Sequence, residues 1–110
     1  MIKDNVANIK TEIGEGVKLI AVTKNRSVSD IQQIVDAGVT DLGENRVQEF
    51  LEKYPHFENV SWHLIGTLQK NKVKYVVGKV ALIHSVDSVG LAQEISKRSV
   101  QAGVASDILL

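Results

Sequence analysis

Val17-Lys18-Leu19-Ile20-Ala21-Val22, then Ser27-Val28-Ser29-Asp30, then Ile31, Ile34, Val35 and Gly38, carry the reading of the fold. The first six residues form a short apolar run of strand length, rich in β-branched side chains. Ser27 with Asp30 three positions on has the form of a capping box with Asp in place of Glu, which marks a helix start. Ile31, Ile34 and Val35 fall on one helical face, and Gly38 stands where a left-handed C-terminal cap belongs. The unit then recurs. Residues 39–42 read as a strand and residues 45–54 as a helix, with Val47, Phe50, Leu51 and Tyr54 on one face and Pro55 as its stop. Strand and helix follow over 60–65 and 68–77, and again over 80–84 and 89–102, where Gly103 closes the last helix. An amphipathic helix over 3–13, with Val6, Ile9 and Ile13 about one turn apart, precedes the first unit. Residues 107–110 open a further strand.

Alternating strands and helices of this length predict an α/β fold with parallel strands joined by right-handed crossovers. Both a (β/α)8 barrel and an open doubly wound sheet are compatible with the spacing. No linker or low-complexity tract divides residues 1–110, so one domain is expected. The chain ends inside the apolar run Ile108-Leu109-Leu110, where a buried parallel strand would lead on to a crossover helix. The expectation is therefore a domain cut short in its fifth strand, with a C-terminal edge strand as the plainer alternative.

Composition narrows the function. The 110 residues carry 13 Lys and Arg against 13 Asp and Glu, and a neutral domain lacks the basic balance usual in nucleic-acid binders. The absence of cysteine removes disulfides, thiolate metal sites and thiol nucleophiles together. No apolar h-region opens the chain and no apolar run approaches the ~18 residues of a membrane span, so a cytoplasmic protein is expected. Dinucleotide, P-loop and zincin motifs are missing, and His56, His63 and His84 lack metal-ligand spacing.

In parallel βα folds, chemistry sits at the C-terminal ends of the strands. That rule selects Lys24, the Gly43-Glu44-Asn45 turn, His63 with Gly66, and His84-Ser85. A lysine closing an apolar strand can present its amine in a partly desolvated mouth, where it is nucleophilic enough for Schiff-base chemistry with an aldehyde. Position alone favours the plainer reading, a surface lysine at a strand end. Asn45 reads first as a helix cap and second as a ligand contact, and His63 first as a core histidine and second as a ligand-orienting group. Trp62 is expected to pack under a helix. Lys70, Lys72, Lys74 and Lys79 read as a solvated face, with an anion site as the sharper alternative.

Four segments together resemble a known family. They are Ala21-Val22-Thr23-Lys24, Gly43-Glu44-Asn45-Arg46-Val47-Gln48-Glu49, the stretch from Trp62-His63-Leu64-Ile65-Gly66 through Gln69-Lys70-Asn71-Lys72, and Ile83-His84-Ser85-Val86-Asp87-Ser88. In this order they resemble the pyridoxal phosphate homeostasis proteins, the YggS-like or proline synthase co-transcribed family, which are similar to the N-terminal domain of alanine racemase. The resemblance implies an alanine-racemase-like (β/α)8 TIM barrel that binds pyridoxal 5′-phosphate (PLP). It implies Lys24 as the Schiff-base lysine, Asn45 beside the cofactor ring, and His63 and Gly66 lining the same mouth.

The family's members are about twice as long. Their phosphate-gripping serine-glycine segment and the arginine near the pyridine nitrogen belong to the half not matched here. The resemblance also implies a carrier that holds PLP and delivers it to apoenzymes, with no catalytic residues of its own. Racemisation would need a second acid/base group, and Tyr54 and Tyr75 are expected on helix packing faces instead. A PLP-dependent racemase and a self-associating half-barrel are the competing readings, the latter because open strand edges invite pairing.

Overall fold

The computed structural model describes residues 2–14 and 16–109. Helix α1 (Ile2–Ile13) is followed by β1 (Ile20–Val22), α2 (Val28–Asp36), β2 (Asp41–Glu44), α3 (Val47–Lys53), β3 (Ser61–Leu64), α4 (Val73–Val76), β4 (Leu82–Ile83) and α5 (Val89–Ala102). The strands pair in the order in which the chain makes them, β1-β2-β3-β4, and every pair is parallel. A doubly wound sheet reverses its strand order at a switch point. This one does not, and forms a run of barrel wall. Ile108 bridges in parallel to Ile83, and Leu109 N donates to Ile83 O at 2.8 Å, so the segment expected to open a fifth strand lies beside β4. Leu110, the last residue of that expected strand, lies outside the described residues.

Alternation sorts each strand onto two faces. Ala21, Leu42 and Trp62 are in register, as are Glu44, Leu64 and Ile83, and this face carries the helices. Leu42, Trp62, Leu64 and Ile83 are buried there with Ile31, Phe50, Val73, Val76, Leu91 and Ile95 from the helices. Trp62 does pack under a helix. The α3 residue Phe50 meets it edge-on at 5.5 Å, with Phe57 at 6.3 Å. The opposite face aligns Val22, Gly43, His63 and Leu82, and Val22 is half exposed on it.

Local signals set the element ends. Ser27 Oγ accepts from Asp30 N at 3.1 Å, as the capping pattern predicts, and Gly38 and Gly103 adopt positive φ after α2 and α5. Other expectations are corrected. The helix expected over 68–77 is an extended stretch, a 3-10 turn at Lys70–Lys72 and the single α-turn of α4. Gln69 is extended at φ −81 and ψ 144 and offers no side-chain cap, so the helix cannot start earlier. The strand expected over 39–42 is displaced to Asp41–Glu44, because Gly43 and Glu44 continue the ladder between β1 and β3. The α-helix does end ahead of Pro55, at Lys53, and Pro55 sits inside a 3-10 turn, Tyr54–His56, that continues from α3. Tyr75 is exposed rather than packed, with the Lys74 ammonium 5.2 Å from its ring centre. Ile9 of α1 is exposed as well. Among the described residues, no helix is long and apolar enough to cross a membrane.

Candidate functional site

Backbone hydrogen bonds carry the ladders one step past the strands. Thr23 N donates to Gly43 O at 3.0 Å, Ile65 N to Glu44 O at 2.9 Å and His84 N to Leu64 O at 2.9 Å. The chain therefore leaves β1, β2, β3 and β4 side by side, which puts Lys24, Asn45, Gly66 and Ser85 on one rim. A tight turn closed by Arg26 N to Thr23 O at 3.1 Å follows β1, with Asn25 in the left-handed region at φ 58. Asparagine tolerates that region better than most residues. Lys24 is exposed, which corrects the expected desolvated mouth. Its strand is an outer strand of the sheet, so neighbouring strands screen it from one side only.

Asn45 and Gly66 are brought into direct contact. A Cβ built on Gly66 would lie 2.9 Å from both the Cα and the carbonyl carbon of Asn45, and closer still to its carbonyl oxygen. Only glycine lets the two strand exits approach this closely. Asn45 does not cap α3, contrary to one reading of its sequence position. Arg46 holds the cap position, extended at φ −113 and ψ 135 and without a side-chain cap bond.

His63 is buried, on the face opposite Trp62, and is not isolated. Its Nε2 lies 3.0 Å from Asp41 Oδ1 and its Nδ1 lies 2.9 Å from His84 Nε2. An ionised carboxylate only accepts, so the proton on the first contact belongs to His63 Nε2. Whichever of the two facing nitrogens carries the hydrogen, the contact between His63 Nδ1 and His84 Nε2 joins the two rings. Burial, and next the charge of His63, hold the His84 imidazole below its ordinary range. Histidines that looked scattered in sequence are thus two-thirds of a hydrogen-bonded line. Among the described residues, no three His, Asp or Glu side chains form a metal-ligating cluster.

A second polar group was not foreseen. Lys53 of α3 is buried, and its Nζ donates to Glu44 Oε2 at 2.7 Å, to Thr23 O at 2.6 Å and to Glu49 Oε2 at 3.3 Å. Thr23 Oγ1 also bonds the Glu44 carboxylate. The sequence does hold a signal for this. Glu44 shares strand parity with Leu42, so it falls on the helix-covered face, where a carboxylate needs a cation. Lys53 lies on the helix that covers it, one turn after Glu49.

A parallel wall of βα units with a lysine at the first strand exit defines a class, and the comparisons agree with it. Residues 1–110 match the family model described as alanine racemase, N-terminal domain, and the chain belongs to that family. It is 45% identical over 95 residues to the pyridoxal phosphate homeostasis protein of Aquifex aeolicus, covering 84% of this chain and 42% of the relative. To that of Escherichia coli it is 33% identical over 103 residues, covering 86% and 44%. The solved structure of PipY from Synechococcus elongatus with PLP bound superposes with a TM-score of 0.95 at 34% identity, covering 100% of this chain and 53% of PipY. The chain spans about half the length of the relatives it matches.

Proposed function

We propose that residues 1–110 are a partial PLP-binding barrel domain, that Lys24 holds PLP as a Schiff base, and that the protein serves PLP homeostasis as a carrier rather than as an enzyme. The observation that carries this reading is the convergence of Lys24, Asn45 and Gly66 on one rim at the C-terminal ends of adjacent parallel strands. Similarity to PipY, whose structure was solved with PLP bound, supports the choice of ligand. The donor set fits it. An exposed primary amine suits an aldehyde, Asn45 offers an amide beside it, and the glycine contact keeps the rim free of a side chain at Gly66.

When bound, PLP supplies an aldehyde and an electron-withdrawing ring. Lys24 condenses with the aldehyde and one water leaves. Asn45 orients the ring, while His63, one step deeper on the same face, supports the floor through Asp41 and His84. PLP-accepting apoenzymes are the recipients in this reading.

PLP titration, borohydride reduction and peptide mass mapping test it. A reduced pyridoxyl adduct concentrated on Lys24 is expected, with weak affinity because the chain supplies one part of the barrel. Adducts spread evenly over the lysines would refute the site. Tight, stoichiometric binding that depends on the phosphate would refute the expectation of a half-built site.

A further inference from the structure

The peptide groups on both sides of Lys24 are held by one charge cluster, buried at Glu44 and Lys53 and partly exposed at Glu49. The Thr23 carbonyl belongs to the peptide bond entering Lys24, and it accepts from Lys53 Nζ at 2.6 Å. The Asn25 N–H belongs to the peptide bond leaving Lys24, and it donates to Glu49 Oε2 at 3.3 Å. Lys53 joins the two, because it also bonds that same Glu49 oxygen and Glu44 Oε2. The two planes that flank the Lys24 Cα, and so its φ and ψ, are therefore tied to β2 and α3 rather than to its own strand alone.

Stability is a poor explanation for this cluster. Burying a charge pair costs desolvation that its attraction barely repays, and apolar residues of similar volume often serve as well or better. Glu44 is wholly buried, and its second oxygen, Oε1, has no hydrogen-bond partner among the described residues. A cluster that leaves an acceptor unsatisfied is not built for stability alone. What it supplies is geometry, since each of its bonds to β1 or to the following turn lands within one residue of Lys24. The Asn25 N–H bond, foremost, holds the Glu49 carboxyl below its ordinary range, as a donor to the charged form does.

We infer that Lys53, with Glu44 and Glu49, is the positioning group for Lys24, setting the backbone on both sides of that residue so that its amine is presented at the rim. The inference rests on the proposed role of Lys24 and adds to it a requirement on three residues that do not touch the ligand.

The experiment compares the parent 110-residue chain with Glu49→Ala and with the double variant Lys53→Met/Glu44→Gln, which removes both buried charges together. Each is treated with PLP, reduced with borohydride and mapped, and the Lys24 adduct is expressed relative to that on Lys10 and Lys97 of the same chain. Amide hydrogen exchange at Asn25 is measured without PLP, and far-UV circular dichroism reports the fold. Misplacing a reacting group by ~1 Å can cost ~10²-fold. The expected result is that folded variants lose Lys24 preference by about tenfold and that exchange at Asn25 accelerates in Glu49→Ala.

Parent-level Lys24 preference in either folded variant overturns the inference. If the double variant does not fold, Glu49→Ala alone decides. If the parent itself shows no Lys24 preference, the cofactor reading fails, and exchange then decides the positioning claim separately. Asn25 exchange that is protected in the parent and fast in Glu49→Ala sustains it, and equal exchange overturns it.

Discussion

Gly66→Ala should destabilise the chain well beyond what one methyl group suggests. The added Cβ would sit 2.9 Å from two backbone atoms of Asn45, roughly half an ångström inside ordinary contact, which begins at 3.4 Å, with the Asn45 carbonyl oxygen closer still. These are main-chain atoms and cannot swing aside. Relief requires the exits of β2 and β3 to separate, which stretches the Ile65 N to Glu44 O bond now at 2.9 Å. Overpacking costs ~1–3 kcal/mol and a weakened hydrogen bond ~0.5–1.5 kcal/mol, so about 2–4 kcal/mol is expected. At ~4–8 °C per kcal/mol for a domain near this size, Tm should fall by roughly 8–32 °C. Melting followed by far-UV circular dichroism, and urea titration followed by fluorescence of Trp62, measure it. Gly43→Ala is the internal control. Its Cβ would meet only the side-chain methyls of Ile20 and Ile65, each at 3.3 Å, and these can shift. A Gly66→Ala chain within about 0.5 kcal/mol of the parent, or no worse than Gly43→Ala, would refute the claim that the two exits are in enforced contact.

Three further outcomes follow from the same geometry. The His84 imidazole is held below its ordinary value near 6.5, so folding favours its neutral form; its contribution to stability is complete above that pH and is lost as pH falls below it. Urea midpoints should therefore drop more between pH 7.5 and pH 5 in the parent than in His84→Gln, and equal drops would contradict the shift. Ser27→Ala removes the acceptor for Asp30 N and should cost ~1 kcal/mol, whereas a cost near zero would show that the cap is idle. Phe50→Ala opens the core beside Trp62 and should cost ~3–5 kcal/mol with a red shift of tryptophan emission; an unshifted spectrum would mean that the two rings are not in contact.

The fold was largely legible because its signals are local. Ser27, Gly38 and Gly103 act through their own neighbours in the chain, and the structure puts a capping bond or a left-handed glycine at each. The segment 68–77 misled because Val73, Val76 and Val77 are apolar at helical spacing and Leu68 precedes them. Leu68 is instead buried from the irregular stretch that follows Gly66, which packs against Asn45 at the exit of β2. The rim residues Lys24, Asn45 and Gly66 were legible once the strand ends were placed. Their surroundings were not. The Asp41–His63–His84 line needs three strands in register, and Lys53 is singled out only once the parity of Glu44 and the helix that covers it are both placed.

The two carboxylates of β2 explain why that register is firm. Asp41 bonds His63 on one face of the sheet, while Glu44, of opposite parity, bonds Lys53 on the other. Shifting β2 by one residue would exchange the faces of all its side chains. Asp41 would then lie under α3 without a histidine, Glu44 would face away from Lys53, and Leu42 would leave the core it shares with Trp62. Hydrophobic patterning alone penalises such a slip through Leu42, and the two polar pairs penalise it twice more. Asn45 takes its place on the rim from this strand, and Lys24 is held from it through Glu44 and Lys53. The buried polar pairs therefore fix the alignment on which the spacing of the rim residues depends.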